Sequence, residues 1–282
     1  MDVKISAKDV KELRDISGAG MMDCKKALTE AGGNIEDAIA ILRKKGQKLS
    51  AKRADRDAKE GAVIALTSDN RNNGIIVRLS CETDFVGKGD AFIALANSIG
   101  EVALKNLPDS LEALLALPFD AEMNVGDKVT EQVGVFGEKV EVKAYEKVVT
   151  AAGAGQVLPY IHMGNRAAVL VALNLEGPDY VEPGKNVAMQ VAAMKPLGLN
   201  KDSIDPAVIE KEMEINMDQA RQLGKPEAML EKIASGKMNK FFKENTLMAQ
   251  VYVKDGSMTV ESYLKSANKE LTVTEFKHVA LG

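Results

Sequence analysis

The segment with the clearest chemical purpose is Glu82-Thr83-Asp84-Phe85-Val86-Gly87-Lys88-Gly89-Asp90, where one aromatic side chain lies among polar residues and glycines. An aromatic side chain on a short loop between rigid elements is suited to insertion into a pocket of a partner protein. The alternative is that Phe85 folds back into the core of its own domain. We favour insertion, which makes four residues candidate partner contacts: Thr83, Asp84, Phe85 and Val86.

Residues that could support catalysis are few. The only histidines are His162 and His278, and the only cysteines are Cys24 and Cys81. Two histidines leave little for metal ligation or acid–base chemistry, and cysteines without a Cys-x-x-Cys spacing indicate neither a zinc module nor a disulfide framework. His162 ends a predicted strand beside a Gly-Asn turn, where a structural role and a contact role are both open. We therefore expect a protein that is not an enzyme and holds no metal ion and no cofactor.

Two glycine-containing segments fail as nucleotide-binding motifs. In Gly18-Ala19-Gly20-Met21-Met22-Asp23, an aspartate replaces the third glycine of a dinucleotide fingerprint, and the segment joins two predicted helices. Gly184-Lys185-Asn186 lacks both the loop glycine and the hydroxyl of a phosphate-binding loop. Direct nucleotide binding is therefore not expected.

A second candidate contact surface is the turn Gly18–Lys26, where Met21 and Met22 directly follow the glycines. Methionines in such a place are commonly core residues. Their adaptable side chains, next to Arg14 and Lys25, also suit a docking face. Both interpretations stay open at this point.

Composition indicates a protein of several domains that binds no membrane. Of the 282 residues, 45% are hydrophobic and 28% are charged, and no stretch approaches the roughly 20 apolar residues needed to cross a bilayer. The first residues lack the apolar run of a signal peptide, so we expect a cytoplasmic protein. A net charge of −4 argues against nucleic-acid binding through an overall basic field.

The elements that position these residues begin with a helical pattern over residues 6–46, with Ser6 and Asn34 as cap residues, which predicts a bundle of three short helices. The charged run Arg43–Lys59 predicts a solvated linker, either a tether or an exposed helix. The alternative for this run is a phosphate- or partner-binding patch.

From Gly61 onward the apolar residues alternate with a period of two, which predicts strands. Strand, strand and helix at 62–67, 74–81 and 91–104 recur in the same order at 156–162, 167–175 and 184–194. This recurrence predicts an internal duplication and two α+β subdomains. The second copy has no Thr-Asp-Phe in the equivalent loop, so the duplicated fold does not require that tripeptide.

The remaining pattern predicts an antiparallel helical hairpin over residues 201–242, interrupted by Gly224-Lys225-Pro226. A helix near 260–267 and a strand at 272–279 follow. The fold class predicted from these elements is α+β.

Two long segments, Ser17–Leu28 with Lys11–Arg14 before it and Glu82–Val86, resemble signature segments of the bacterial elongation factor Ts family. The resemblance extends over nearly the whole chain and includes Tyr160–Gly164. It implies a ubiquitin-associated-like domain and the start of the basic linker at 1–54 and a first core subdomain at 55–150. The second core subdomain spans 151–200 and 245–282, with a coiled-coil hairpin inserted at 201–244.

The resemblance also implies a function: exchange of GDP for GTP on the GTPase elongation factor Tu, by a factor that holds no nucleotide itself. Thr83, Asp84, Phe85 and Val86 then correspond to a loop that enters the GTPase and dislodges its magnesium ion, with Phe85 as the wedge and Asp84 disturbing the hydrogen bonds around the magnesium site. His162 is expected near Phe85, against the same partner helices. Arg14, Met21, Met22 and Lys25 correspond to residues that dock the N-terminal domain. The hairpin is a candidate contact for a homodimer or for the partner.

Three other functions compete with this prediction. An interaction scaffold would use the N-terminal bundle without exchange activity. An RNA-binding protein would use the run Arg43–Lys59 and bind in a salt-dependent way. A thiol enzyme would need a base paired with Cys24 or Cys81, and none lies nearby in the sequence.

Overall fold

Three helices form the N-terminal part of this computed structural model, which describes residues 5–282. They are α1 (Ala7–Ser17), α2 (Met21–Glu30) and α3 (Ile35–Arg53). The Ser6 hydroxyl accepts a hydrogen bond from the Asp9 N–H and caps α1, and the Asn34 side chain caps α3 in the same way. The apolar faces of the helices share one small core, made of Val10, Leu13, Ala19, Cys24, Ala27, Leu28 and Ala38.

The first half of the core contains a three-stranded antiparallel sheet with helices on one face. Its strands are β1 (Glu60–Thr67), β2 (Asn73–Cys81) and β3 (Val140–Val149), in the order β1-β2-β3. Between β2 and β3 the chain forms α4 (Asp84–Gly87), α5 (Asp90–Asn106), α6 (Leu111–Ala116) and α7 (Val125–Phe136). The apolar face of α5, with Phe92 and Ile99 fully buried, packs on this sheet.

The pair Asn73-Gly74 is a typical sequence signal for a hairpin turn and predicts a hairpin between the first two strands. That hairpin forms between β1 and β2, but its turn uses other residues. Asn73 and Gly74 lie inside β2, and the left-handed position of the turn is Arg71, with a φ angle of 56°. Gly74 serves packing instead, because a β-carbon there would lie 2.6 Å from the Cγ1 atom of Val157 in the second half. The Asn-Gly pair therefore predicts the hairpin correctly, although it does not form the turn.

The second half of the core repeats the order strand, strand and helix. Its elements are β4 (Gln156–Ile161), β5 (Ala167–Leu173), α8 (Val181–Met194), α9 (Pro206–Gln222), α10 (Glu227–Asn245), β6 (Val251–Tyr252), β7 (Asp255–Thr259), α11 (Val260–Ala267) and β8 (Val273–Ala280). The strands β4, β5 and β8 form a second antiparallel sheet in the order β4-β5-β8. Single 3-10 turns occur at Met163–Asn165, Pro178–Tyr180 and Lys201–Ser203.

Helices α9 and α10 pack against each other in opposite directions. Gly224, with a φ angle of 69°, and Pro226 separate the two helices. Ala220, Leu230, Ala234 and Met238 are buried along the shared face. The pair lies in the chain between α8 and β6.

The two sheets face each other across a shared apolar layer. Val63 and Ile76 from the first sheet and Val157 and Leu170 from the second belong to this layer. The alternate residues of β1, β2 and β5 point away from it, toward the helices of their own half. Because these strands are buried on both faces, they are apolar almost throughout, as burial on two sides requires.

The basic run after Arg43 is an exposed helix up to Arg53 and not a flexible tether. Its lysines and arginines and Ala51 favour a helix, and one side of α3 crosses α7 at close range. A β-carbon at Gly46 would lie 3.2 Å from the carbonyl oxygen of Glu131. Leu49 packs against the core of the first half. Helix α3 therefore belongs both to the N-terminal bundle and to the packing of that half.

Candidate functional site

Phe85 projects into solvent from a single helical turn. Its side chain is 89% exposed, whereas its neighbour Val86 is partly buried against the first core. The segment predicted as a loop is α4, and Thr83 caps it by accepting a hydrogen bond from the Val86 N–H at 3.5 Å. The alternative in which Phe85 folds into its own core is therefore wrong. The turn holds an exposed aromatic ring on a fixed support.

Asp84 lies on the same turn and forms an ion pair with Lys88. The Asp84 Oδ2 and Lys88 Nζ atoms are 2.6 Å apart. The hydrogen bond from Lys88 and its positive charge lower the pKa of Asp84 below its ordinary value. Asp84 is therefore a carboxylate at neutral pH, with its charge already partnered.

A second carboxylate, that of Glu138, receives three hydrogen bonds from the start of this turn. Its Oε2 atom accepts from the backbone N–H groups of Glu82 and Thr83 at 3.1 and 2.9 Å. Its Oε1 atom accepts from the Thr83 hydroxyl at 2.6 Å. On the other side, the buried Cys81 thiol donates to the Thr83 carbonyl at 3.1 Å. Burial, then the charge of Glu138, raises the pKa of the Cys81 thiol to about 12, so it is not a nucleophile.

Glu82 ties the end of α3 to the same turn. Its carboxylate accepts from the guanidinium of Arg53 at 2.5 Å, from that of Arg56 at 3.0 Å and from the backbone N–H of Lys139 at 2.7 Å. Burial alone raises the pKa of Glu82, but these hydrogen bonds outweigh burial and lower it. Two arginines of the basic run therefore have an intramolecular partner directly before Thr83.

The turn that carries His162 is attached close to α4. A β-carbon at Gly87 would lie 2.8 Å from Gly61 in β1, so α4 rests on the start of that strand. Arg166, four residues after His162, forms an ion pair with Glu60, the preceding residue of β1, at 3.0 Å. His162 is exposed, and its Nδ1 atom lies 3.2 Å from the Tyr160 hydroxyl. The structure thus anchors both turns on adjacent residues of one strand.

The next residue, Met163, was not among the predicted site residues. It is 86% exposed, nearly as much as Phe85. The signal was present in Tyr160-Ile161-His162-Met163-Gly164, where an apolar side chain precedes a glycine at a strand end. This turn therefore adds a second exposed apolar side chain close to the base of α4.

The predicted N-terminal contact residues share an exposed position on α1 and α2. Met21 and Met22 are exposed, so the interpretation that makes them core residues is wrong. Cys24, Ala27 and Leu28 fill the core side of α2 instead. Arg14 and Lys25, the other two predicted contact residues, are also exposed.

A cleft lies between the N-terminal helices and α7, beside the contact of α3 with α7. Its volume is about 490 Å³, and Ile39, Leu42, Met123 and Val135 are among its lining residues. Arg43 crosses this boundary and pairs with Glu122 at 2.6 Å. The exposed contact residues of α1 and α2 and the turn α4 therefore lie on separate parts of the fold, which α3 and α7 connect.

Within residues 5–282, no group of three or more His, Cys, Asp or Glu side chains is arranged to hold a metal ion. In the same part of the chain, no helix is both long and apolar enough to cross a membrane.

Comparisons with known proteins were consistent over the chain. The family model described as "Elongation factor TS" matches residues 82–282. A protein named elongation factor Ts from Christiangramia forsetii is 49% identical over 279 residues, which cover 99% of each chain. Its counterpart from Amoebophilus asiaticus is 50% identical with the same coverage. One from Porphyromonas gingivalis is 43% identical over 277 residues, which cover 98% of each chain.

Proposed function

This chain belongs to the elongation factor Ts family, and on that premise we propose that it opens the nucleotide site of elongation factor Tu by inserting Phe85. It is a guanine-nucleotide exchange factor of translation elongation, and its partner is elongation factor Tu. The observation that carries the insertion step is the 89% exposure of Phe85 on a capped turn. Transfer of such an exposed aromatic ring from water into a partner's pocket is favourable, because it buries a large apolar surface.

Exchange of this kind needs no covalent chemistry, because it is a coupling between two binding equilibria. A factor that weakens GDP binding is itself weakened by GDP to the same degree. A magnesium ion in such a GTPase bridges phosphate oxygens and protein ligands. Its displacement removes the largest positive charge near the phosphates and loosens GDP. We assign Asp84 to the disturbance of the hydrogen bonds around that ion.

Phe85 cannot supply the whole effect. Burial of a phenylalanine side chain contributes about 1.5–3 kcal/mol. A shift of about 10⁴-fold between two states of a partner needs roughly 5.5 kcal/mol of differential binding. Further contacts must therefore favour the nucleotide-free form of the GTPase.

The other exposed surfaces are suited to supply those contacts. Met21 and Met22, between Arg14 and Lys25 in the chain, form a docking surface of α1 and α2 with apolar and basic character. His162 lies on the turn anchored beside α4 and contacts the same partner helices as Phe85. Thr83 and Val86 serve mainly to hold the turn.

We assign the parts of the fold accordingly. The bundle of α1, α2 and the first part of α3 is the ubiquitin-associated-like domain of the family, and the pair α9 and α10 is its coiled-coil hairpin. The two sheets with their helices are the two core subdomains. The protein acts in the cytoplasm, where translation takes place in bacteria, and the hairpin remains a candidate contact for a homodimer or for the partner.

The test is the release of a fluorescent GDP analogue from elongation factor Tu. Addition of the chain should accelerate release, and excess GDP with magnesium should dissociate the complex of the two proteins. The companion measurement is a pull-down from bacterial extract, which should recover the GTPase only without added GDP and magnesium. A chain that binds the GTPase but leaves the release rate unchanged would be a scaffold, and the proposal would be wrong.

A further inference from the structure

Glu138 accepts hydrogen bonds from the backbone at the start of the turn that carries Phe85. It lies 55 positions away from Thr83 in the sequence. We propose that Glu138 is a positioning residue for nucleotide exchange: it fixes the orientation of the turn Thr83–Val86 and thereby the direction in which Phe85 projects. This inference rests on the proposed function and adds to it a residue that does not itself touch the partner's nucleotide.

The hydrogen bonds of Thr83 form a short relay. The Thr83 hydroxyl donates to Glu138 Oε1 at 2.6 Å, a length typical of a hydroxyl bound to a carboxylate. The oxygen of the same hydroxyl accepts from the Val86 N–H and caps α4. Because its proton is committed to Glu138, the hydroxyl presents its lone pairs to the helical turn. Glu138 therefore orients the cap as well as the backbone before it.

Both carboxylate oxygens of Glu138 are needed for this arrangement. Oε2 accepts hydrogen bonds from two backbone N–H groups, those of Glu82 and Thr83, and Oε1 accepts one from the Thr83 hydroxyl. A glutamine in the same place has one oxygen and one NH₂ group, and the NH₂ group cannot accept a hydrogen bond. The substitution Glu138→Gln therefore keeps the shape of the side chain but replaces a charged acceptor by a neutral one, which weakens the hydrogen bonds from the two backbone N–H groups. Its NH₂ group can only donate to the Thr83 hydroxyl, so the proton of that hydroxyl is no longer committed.

The segment that carries Glu138 is itself firmly held. Helix α7 ends at Phe136, Gly137 takes a left-handed conformation with a φ angle of 71°, and β3 begins at Val140. Val140 is paired with Cys81 at the end of β2. Glu138 thus approaches the turn from a sheet that is already in register with it.

The contact is reciprocal. Glu138 accepts from the backbone N–H of Glu82, and Glu82 accepts from the backbone N–H of Lys139 at 2.7 Å. The guanidinium groups of Arg53 and Arg56 pair with the Glu82 carboxylate at the same place. The two chain segments are therefore fastened to each other by side chain to backbone hydrogen bonds in both directions.

The experiment compares Glu138→Gln with a matched control, Glu101→Gln, which removes an equal charge from an exposed site on α5. In the free chain, amide hydrogen exchange at Glu82 and Thr83 should become faster in Glu138→Gln only. With elongation factor Tu, the maximal rate of GDP release should fall by about tenfold, the size expected for one lost charge-assisted hydrogen bond. Affinity for the GTPase should change less than the rate.

A double-mutant cycle with Phe85→Ala separates positioning from a general structural role. If Glu138 acts through Phe85, Glu138→Gln should cause little further loss once the ring is gone. Losses that add fully, or a full release rate in Glu138→Gln when Phe85→Ala is impaired, would overturn the inference and leave the proposed function intact. A wild-type chain that fails to accelerate release would contradict the proposed function instead, whereas unchanged amide exchange in Glu138→Gln would contradict the positioning role by itself.

Discussion

Gly87 lies directly against Gly61: a β-carbon added to Gly87 would be 2.8 Å from both the Cα atom and the backbone nitrogen of Gly61. Real β-carbons do not come this close to backbone atoms, so only glycine allows α4 to pack this closely on β1. The position of the exposed Phe85 ring is thus set from below by a contact between two backbones.

The substitution Gly87→Ala should therefore push α4 outward and displace the Phe85 ring without removing it. Overpacking of this kind costs about 1–3 kcal/mol of stability. A displacement on the order of 1 Å can cost about 100-fold in rate, so we expect GDP release to slow at least about tenfold. Release kinetics and thermal unfolding would measure both effects. Gly256→Ala in β7 is the matched control, because its new β-carbon would have no heavy atom within 4 Å and the release rate should stay unchanged.

The N-terminal surface can be tested without removing any element. The double substitution Met21→Ala with Met22→Ala truncates two exposed side chains, so the free energy of unfolding should hardly change. Affinity for elongation factor Tu should fall by more than about 1 kcal/mol, as for a contact residue at an interface. Titration of the GTPase by calorimetry would measure this change. Full affinity in the variant would show that the docking surface lies elsewhere.

His278 makes the stability of the chain depend on pH. It is half-buried on β8, and burial, then the charge of Lys195, lowers its pKa below the ordinary value of 6.5. Below pH 6.5 the unfolded chain binds a proton before the folded chain does, so this contribution to stability is complete above pH 6.5 and is lost as the pH falls through the lowered pKa.

Urea unfolding of wild type and His278→Gln on either side of that pH measures the effect. The wild type should lose stability on the acidic side, and the variant should lose less. An equal acidic loss in both proteins would assign the pH dependence to other groups.

Much of the fold was predictable because its signals are local. Ser6 and Asn34 cap the helices that their positions predicted, and the change of apolar period near Gly61 coincides with β1. The order strand, strand and helix also recurs in both halves. Signals of these kinds depend on neighbours within a few residues, which a sequence displays directly.

What the sequence did not reveal depends on contacts between distant segments. Residues of an exposed helix have the same composition as a solvated linker, and only the packing of Gly46 on α7 distinguishes the two. Helix α4 is a single turn, too short to show any periodicity. Glu138 is one acidic residue among many until the pairing of β2 with β3 brings it to Thr83.

Part of the candidate site could be predicted from the types of its residues. An aromatic side chain in a polar segment predicted an exposed Phe85, and the structure confirms that exposure. The supports of that side chain, Glu82, Glu138 and Gly87, were not predicted, because their role follows from geometry and not from their chemical identity.

The most direct test of the account is the maximal rate of fluorescent GDP release from elongation factor Tu with Phe85→Ala at saturating concentration. Loss of about 1.5–3 kcal/mol of apolar burial corresponds to a rate about 10- to 150-fold lower, with the fold unchanged because the ring makes no part of the core. The control Val149→Ala removes an apolar side chain, 54% exposed, from the opposite end of β3 and should release GDP at the wild-type rate. A Phe85→Ala variant as fast as the wild type would contradict the claim that this ring opens the nucleotide site.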